Sequence, residues 1–273
     1  MHKGKEAMGL ILKEAGSSNP KIEVWELDLA NYESVLSFGA RVRSQLPRLD
    51  IFIANAGIEA GRFELVEGLE RTLTINVVST FLSCMAVLPK LRETSETYDT
   101  TTNLTATGSV YHIFAPDSQL DMAQDSDVFD ALSDSKTADM PGRYALSKLV
   151  MHQCVAELAK LVSASPGSSK SQVVVNVVNP GWCKTEVTRN RPVSWVEHML
   201  SALMCWTAEK GGRAMVFAAV AGKDSHGGYI SECELKQQSE FMRSERGVAI
   251  QRRVWRDLLA RIERISPEVA SLI

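Results

Sequence analysis

Two side chains capable of acid–base chemistry, Tyr144 and Lys148, stand four residues apart in the sequence. Residues 143–163 are predicted to form a helix, and this spacing places both side chains on one helix face. An ammonium beside a phenol favours the phenolate and lowers the tyrosine pKa, so the phenol can exchange a proton near neutral pH. The pair alone is a weak signal, because two solvated residues on a helix surface would show the same spacing.

Polar residues also follow directly on the predicted strands. The strands are expected over residues 22–27, 49–54, 103–109 and 173–178. The polar residues at their ends are Asp28, Asn55, Ser109 and Asn179. In a doubly wound parallel sheet, ligands bind beyond the carboxyl ends of the strands. These positions therefore indicate a binding site at that edge of the sheet.

Predicted helices alternate with these strands. They cover residues 3–15, 32–45, 69–92, 143–163, 193–206, 208–221 and 248–264, and a last strand is expected near Tyr229. Residues 173–178 are continuously apolar, which is typical of a strand buried on both faces. The alternation predicts one α/β domain over residues 1–273, with a doubly wound parallel sheet covered by helices on both sides.

The composition argues against several classes of function. The formal net charge is −3 and no basic stripe occurs, which speaks against a nucleic-acid partner. The five cysteines are scattered and form no CxxC pair, so neither a disulfide framework nor a metal site is expected. The longest purely apolar run, residues 214–221, is too short to cross a bilayer, and the N-terminus lacks a signal-peptide core. We expect no transmembrane segment and, by default, a cytoplasmic location.

Taken in chain order, these residues resemble the pattern of the short-chain dehydrogenase/reductase family. The pattern consists of Asp28-Leu, Asn55-Ala-Gly, Asn76, Ser109, Tyr144-x-x-x-Lys148 and Asn179-Pro-Gly-x-x-x-Thr185. It spans about residues 3–265, and the set is specific although no single member is. The resemblance implies a Rossmann-like fold. It also implies an NAD(P)-dependent oxidoreductase that moves a hydride between nicotinamide and a carbonyl or secondary alcohol.

The resemblance implies catalytic roles for four residues. Tyr144 would be the general acid/base, and Lys148 would lower its pKa and bind the nicotinamide ribose. Ser109 would hold and polarise the substrate carbonyl. Asn76 would anchor a water of the proton relay through its helix backbone.

Contacts with the cofactor are implied in the same way. Asp28 would contact the adenine edge, and Asn55, Ala56 and Gly57 would line the adenosine side. At the nicotinamide, Thr185 would bind the carboxamide. Pro180 and Gly181 would let the nicotinamide ring approach the backbone closely, and Cys183 would contribute only its backbone. Tyr144 and Lys148 complete the set of cofactor-binding residues.

Each residue also has a purely structural alternative. Asp28 could cap a helix, and residues 55–57 could form a turn. Asn76 could be satisfied within its own helix, Ser109 could be one more residue of a Thr/Ser-rich stretch, and Thr185 could cap the next helix. These alternatives do not explain why the residues occur in the family's order.

Two segments bear on the substrate. The polar stretch 114–140 is longer than in the shortest family members and is similar to that of fungal secondary-metabolism and retinol-dehydrogenase-like members. It either borders the substrate entrance or is a floppy surface loop. The following segment indicates a bulky apolar substrate, with core packing or a dimer surface as the alternative. Its large residues are Trp182, Pro192, Trp195, Met199, Leu203, Met204 and Trp206.

The same resemblance bears on cofactor choice and assembly. The resemblance to fungal and retinol-dehydrogenase-like members favours NADP(H) over NAD(H), while the residues that select between the two lie, in the family, in the part without a counterpart here. The family also implies a homodimer or homotetramer, formed through the long helices that carry Asn76 and Tyr144.

The family's TGxxxGxG turn, which places backbone amides and a helix N-terminus on the cofactor pyrophosphate, has no counterpart in this sequence. The first predicted helix resembles the family's second, so the first two strands of the family order 3-2-1-4-5-6-7 are expected to be lacking. Strands 22–27 and 49–54 would then lie about 14 Å apart, at roughly 4.8 Å per strand. We expect them either to pair directly or to leave the domain unstable.

Two hypotheses account for the missing turn. Met1 is an internal methionine of a longer protein, or the chain is a true truncation. In the second case it would be a catalytically impaired remnant without tight cofactor binding.

Overall fold

The computed structural model describes residues 2–18, 20–123, 126–164, 172–181, 183 and 207–272. The strands in these ranges are β1 (Ile51–Ala54), β2 (Leu65–Val66), β3 (Leu69–Glu70), β4 (Thr101–Thr107), β5 (Gln172–Asn179), β6 (Tyr229–Ser231) and β7 (Glu234–Lys236). The described strands form a five-stranded sheet in the order β1-β4-β5-β6-β7, and β2 and β3 form a separate hairpin.

Long helices connect the strands. The described helices are α1 (His2–Ala15), α2 (Tyr32–Gln45), α3 (Arg71–Tyr98), α4 (Val128–Leu132), α5 (Met140–Ala164), α6 (Ala208–Ala219), α7 (Glu240–Arg243), α8 (Glu245–Ile265) and α9 (Pro267–Ala270). Within α3, the turn Thr74–Ser79 is π-helical. Short 3-10 turns cover Val110–Phe114 and Asp117–Ala123 after β4.

The sheet is parallel except at one edge. β1, β4, β5 and β6 pair in parallel, and β7 returns antiparallel to β6. Val177 of β5 belongs to the main apolar cluster with α3, α5 and α8, whereas Val178 packs in a second cluster with Ala214 and Ala218 of α6. Both faces of β5 are therefore covered. The predicted α/β, Rossmann-like parallel sheet is confirmed.

Helix α3 forms the centre of the main cluster. It is long and apolar enough to cross a membrane by length and composition, and 94% of its most apolar window is buried. Such burial is that of a helix in the core of a folded domain. Its position fixes Asn76 between the loop after β1 and helix α5.

The prediction of a strand over residues 22–27 is wrong. These residues form no ladder with any described strand, and β1 pairs with β4 alone within the described chain. Trp25 packs edge-on against Phe38 of α2 at 6.2 Å between ring centroids, and Phe38 lies 6.4 Å from Phe52 of β1. Trp25 thus packs on α2 and the segment forms no strand, because a strand forms only where a neighbour satisfies its backbone groups.

The stretch 114–140 is more ordered than a surface loop. It contains a 3-10 turn and helix α4, in which Val128 and Phe129 are fully buried. Arg143, at the start of α5, donates a hydrogen bond of 2.7 Å to the carbonyl oxygen of Leu132. The segment is therefore fixed to the helix that carries Tyr144. The helix predicted over 193–206 lies outside the described residues.

Candidate active site

Ser109, Tyr144 and Lys148 meet at the carboxyl end of β4. The side chain of Ser109 lies near the phenol of Tyr144 and acts to lower its pKa. The Nζ atom of Lys148 lies 5.7 Å from the centroid of the Tyr144 ring and donates a hydrogen bond of 2.7 Å to the carbonyl oxygen of Thr107. Strand β4 and one face of α5 therefore bring together a hydroxyl, a phenol and an ammonium.

The backbone at Ser109 changes from strand to 3-10 turn. Its extended conformation, with φ −163° and ψ 150°, begins the turn Val110–Phe114, and its Oγ accepts a hydrogen bond of 3.2 Å from the N–H of Tyr111. The Tyr111 ring in turn contacts Tyr144 edge-on at 6.1 Å. The Ser109 side chain is thus held on the side of Tyr144.

Burial shifts the protonation of both titratable groups. It raises the pKa of Tyr144 to about 12, and the neighbouring Ser109 side chain offsets only part of that rise. Burial also lowers the pKa of Lys148 to about 8. The expected lowering of the Tyr144 pKa by Lys148 is not what the structure shows: desolvation of the phenolate is the largest cause of the shift, and the Lys148 ammonium is not among the groups that lower it. The Lys148 Nζ atom itself is directed to the Thr107 carbonyl.

Asn76 ties α3 to two other elements. Its Oδ1 accepts a hydrogen bond of 2.9 Å from the N–H of Ile58, and its Nδ2 donates to the carbonyl of Ile58 at 2.9 Å and to Ser147 Oγ at 3.0 Å. The residue lies in the π turn of α3, a feature that often marks functional positions in helices. Asn76 is therefore not satisfied within its own helix; its part in a water relay stays a prediction.

Gly57 lies between Asn76 and Lys148. A Cβ atom at Gly57 would stand 3.1 Å from Asn76 Oδ1 and 3.6 Å from Lys148 Nζ. The absence of a side chain there leaves room directly beside the ammonium.

Asn55 and Ala56 line a cavity at the end of β1. Asn55 Oδ1 accepts a hydrogen bond of 3.2 Å from Thr107 Oγ1, which joins the ends of β1 and β4. The cavity has a volume of about 210 Å³, and its wall includes Leu27, Leu29, Phe38, Phe52, Ile53, Ala54, Asn55, Ala56, Thr80 and Ser83. A larger hollow of about 540 Å³ lies beside Lys160 and His226, and its lining includes none of the predicted site residues.

Asp28 lies next to this cavity, but its carboxylate makes a local contact. Its Oδ1 accepts a hydrogen bond of 2.9 Å from the N–H of Ala30. The N-cap of α2 is Asn31, whose side chain accepts from the N–H of Ser34. Asp28 is thus an exposed turn residue rather than a helix cap, and its neighbour Leu29 contributes to the cavity wall.

The Asn-Pro-Gly sequence forms a tight turn after β5. Asn179 Oδ1 accepts from the N–H of Gly181 at 3.2 Å, and Gly181 has a φ of +83°, which favours glycine. Cys183 Sγ donates to the carbonyl of Pro180 at 3.3 Å, and a Cβ at Gly211 of α6 would lie 2.4 Å from that sulfur. Cys183 therefore packs by its side chain as well. Thr185, Trp182 and the large residues between 192 and 206 lie outside the described residues.

Sequence reasoning missed Thr107, which contacts Lys148 through its carbonyl and Asn55 through its hydroxyl. The signal that could have identified Thr107 is its position as the last residue of β4, because backbone carbonyls at strand ends lie at the edge of the sheet where ligands bind. Two histidines beneath Ser109, His112 and His152, were also missed. They belong to no motif and are 40 residues apart in the chain.

The described residues fit three parts of a nicotinamide dinucleotide. The space at Gly57 beside the Lys148 ammonium suits a ribose, and the cavity at Asn55 and Ala56 suits an adenosine. The left-handed turn at Gly181 allows close approach of a flat ring to the backbone. For the pyrophosphate, the sequence carries no TGxxxGxG turn.

Known proteins share this pattern of sequence and fold. The sequence profile of the short chain dehydrogenase family matches residues 1–98. The short chain dehydrogenase/reductase dmxR8 of Cryptosporiopsis sp. is 38% identical over 275 residues, which cover 99% of this chain and 82% of the relative. The short chain dehydrogenase FGM9 of Gibberella zeae is 32% identical, over 98% of this chain and 77% of the relative.

Solved structures show the same fold. Salutaridine reductase from Papaver somniferum superposes with a TM-score of 0.61 at 18% identity, over 84% of this chain and 87% of the other. A Burkholderia cenocepacia short chain dehydrogenase in complex with NADP gives a TM-score of 0.56 at 19% identity, over 84% and 82%. From the match to its fungal relatives over nearly its whole length, this chain belongs to the short-chain dehydrogenase/reductase family.

Proposed function

We propose that this protein is a nicotinamide-dependent oxidoreductase that interconverts a carbonyl and a secondary alcohol on a bulky apolar small molecule. The observation that carries the proposal is the meeting of Ser109, Tyr144 and Lys148 at the end of β4, beside the cavity at Asn55 and Ala56. A hydroxyl, a phenol and a buried ammonium at the edge where ligands bind are the groups that carbonyl reduction needs.

The protein's own residues bind the substrate oxygen and move the proton. Ser109 donates a hydrogen bond to the substrate oxygen, and Tyr144 exchanges the proton with it. When bound, the nicotinamide supplies or accepts the hydride. The residues that would hold the cofactor are Asp28, Asn55, Ala56, Gly57, Tyr144, Lys148, Pro180, Gly181, Cys183 and Thr185.

The protonation states favour reduction at neutral pH. With a pKa of about 12 the phenol of Tyr144 is protonated, and with a pKa of about 8 Lys148 is a cation at pH 7. A protonated phenol gives up a proton to a developing alkoxide. The oxidation of an alcohol needs the phenolate instead, so it is favoured as the pH rises.

The surroundings of Tyr144 support an apolar substrate. Tyr111, Ile113 and Phe114 expose apolar surface on the 3-10 turn after Ser109, and the rings of Tyr111 and Phe114 lie 6.3 Å apart. The two sequence relatives described above, dmxR8 and FGM9, come from fungi, which supports a role in fungal secondary metabolism. NADP in complexes of related structures supports NADP(H) as the preferred cofactor.

A cytoplasmic location and a homodimer or homotetramer stay predictions.

Calorimetric titration of the 273-residue chain with NADPH, and with NADH for comparison, tests the cofactor part of this proposal. We expect saturable NADPH binding that Gly57→Ala weakens roughly tenfold, about 1.4 kcal/mol. The reason is that the added methyl group crowds Asn76 and Lys148. Gly212→Ala is the matched control, because a Cβ there meets nothing within 4 Å.

The same titration distinguishes the proposed oxidoreductase from the alternative, a catalytically impaired remnant. A folded chain that binds neither NADPH nor NADH would overturn the proposal and favour a catalytically impaired remnant. Stronger binding of NADH than of NADPH would overturn the cofactor preference alone.

A further inference from the structure

Two buried histidines from different elements lie against the backbone of Ser109. His112 belongs to the 3-10 turn Val110–Phe114 and is 2% exposed, and His152 belongs to α5 and is fully buried. Their rings stack with centroids 4.0 Å apart at an angle of 24°. Tyr229 of β6 closes the cluster, with its ring centroid 5.1 Å from His112 and 5.0 Å from His152.

Each histidine bonds one backbone group of Ser109. The N–H of Ser109 donates to His152 Nε2 at 3.5 Å, and His112 Nδ1 lies 2.8 Å from the carbonyl oxygen of Ser109. The approach of His152 depends on Gly108, where a Cβ would stand 2.3 Å from His152 Nε2. The peptide units on both sides of Ser109 are therefore held by side chains.

These contacts determine the tautomer of both rings. A backbone N–H can only donate, so His152 Nε2 carries no proton and the proton of the neutral ring is on Nδ1. That proton faces Gln238 Oε1 at 3.3 Å. A backbone carbonyl can only accept, so His112 also carries a proton on Nδ1. Both rings have the same tautomer.

The surroundings keep both rings neutral. Burial lowers the pKa of His112, and burial together with the neighbouring His112 and Lys148 lowers the pKa of His152 further. The other groups that face the pair are the Tyr229 ring and the Gln238 amide. A proton on His152 Nε2 would point at the N–H of Ser109 and break the contact.

We propose that His112 and His152 are positioning residues for Ser109. By holding the N–H and the carbonyl of its backbone, they fix the direction of Ser109 Oγ toward the phenol of Tyr144. Neither histidine touches the reacting atoms. The inference rests on the proposed role of Ser109 in binding the substrate oxygen.

Nitrogen-15 NMR of the histidine rings at pH 7 tests the geometry without any substrate. We expect His112 and His152 to show a protonated Nδ1 and an unprotonated Nε2, with signals assigned through His112→Asn and His152→Gln. A proton on Nε2 of either ring, or on both nitrogens of one ring, would overturn the inference whatever the enzyme's activity.

Turnover of the full chain tests the consequence, with NADPH and an aromatic diketone as the carbonyl probe. We expect His152→Leu and His112→Leu to lower kcat roughly 10- to 100-fold with little change in NADPH affinity, because a small misplacement of a reacting group has effects of this size. His152→Gln, which keeps an acceptor, and His112→Asn, which keeps a donor, should restore most of kcat.

His226, which bonds the backbone of β5 and α5 away from Ser109, is the control. We expect His226→Leu to lower the melting temperature without a selective loss of kcat. Folded leucine variants with normal kcat, or glutamine and asparagine variants that restore nothing, would contradict a positioning role. If the wild-type chain reduces no carbonyl, the proposed function fails, and the ring tautomers alone decide the present inference.

Discussion

Lys148 and Tyr144 are both harder to charge in the folded protein than in water. Burial is the largest cause in each case, lowering one pKa to about 8 and raising the other to about 12. The folded state therefore bears an electrostatic cost at the site itself. Such a cost is typical of residues kept for chemistry rather than for stability.

The pH dependence of stability should report this cost. Because the pKa of Lys148 is about 8 in the folded state and 10.5 in its reference state, the unfolded chain binds more protons between these values, and stability rises with pH there. We expect Lys148→Met to remove a gain of about 3 kcal/mol between pH 8 and pH 10.5.

Chemical unfolding of both proteins across that pH range measures the difference. Lys160→Met, at an exposed position further along α5, is the control and should keep the wild-type slope. Equal slopes for wild type and Lys148→Met would show that Lys148 is not held in a desolvated site.

The roles of individual residues were predictable to different degrees. Ser109 and the Tyr144–Lys148 pair could be located from sequence, because strand ends and a helical spacing of four are local properties. The direction of the Tyr144 pKa could not, because burial depends on elements distant in the chain. The contact of His152 with Ser109 likewise arises only when α5 packs beside β4.

At the scale of elements, a buried ion pair joins the β2–β3 hairpin to α5. Arg143 Nε lies 3.5 Å from Glu70 Oε2, and both side chains are almost fully buried. Glu70 also accepts hydrogen bonds from the N–H groups of Thr72 and Leu73 at the start of α3. The pair thus fixes the helix that carries Tyr144, one residue after Arg143.

We expect Arg143→Met to lower the free energy of unfolding by about 3 kcal/mol, because it leaves the Glu70 carboxylate buried without its partner. The double variant Glu70→Gln/Arg143→Met should recover part of that loss, since no lone buried charge remains. Urea unfolding of the three proteins gives the comparison. A double variant less stable than Arg143→Met would refute this explanation of the pair.

The elements themselves were predicted well where they are long. The helix over 32–45 has a periodic pattern and the strand over 173–178 a continuous apolar run, and the structure has them as α2 and β5. The hairpin of β2 and β3 has two residues per strand, too few for any period. Residues 22–27 show the opposite error: the pattern alternates correctly, but strand formation also requires a neighbour.

At the scale of the whole molecule, β1 has an open edge where the sequence predicts either direct pairing with residues 22–27 or an unstable domain. Within the described residues its neighbour is β4, and on this strand Ile51 is 40% and Ile53 36% exposed. Unpaired apolar strand edges promote association between chains.

We therefore expect concentration-dependent self-association of the 273-residue chain, and its reduction by Ile53→Lys. A charged side chain on an edge strand opposes pairing with a second strand. Sedimentation velocity over a range of concentrations makes the comparison. Val220→Lys, at an exposed apolar position after α6, is the control. If Ile53→Lys leaves the self-association unchanged, the contact between chains does not involve the edge of β1.

Hydride transfer from the nicotinamide to a carbonyl is the most direct test of the proposed function. The measurement is the mass of the alcohol formed when the full chain reduces an aromatic diketone with NADPH that carries deuterium on its transferable carbon. We expect the wild-type product to gain one deuterium. With Tyr144→Phe, product should form at least about 100-fold more slowly at saturating NADPH, because the proton donor is lost. Tyr98→Phe, at an exposed tyrosine, should behave as wild type. Deuterium transfer at the wild-type rate by Tyr144→Phe, or no transfer by a wild-type chain saturated with NADPH, would contradict the account.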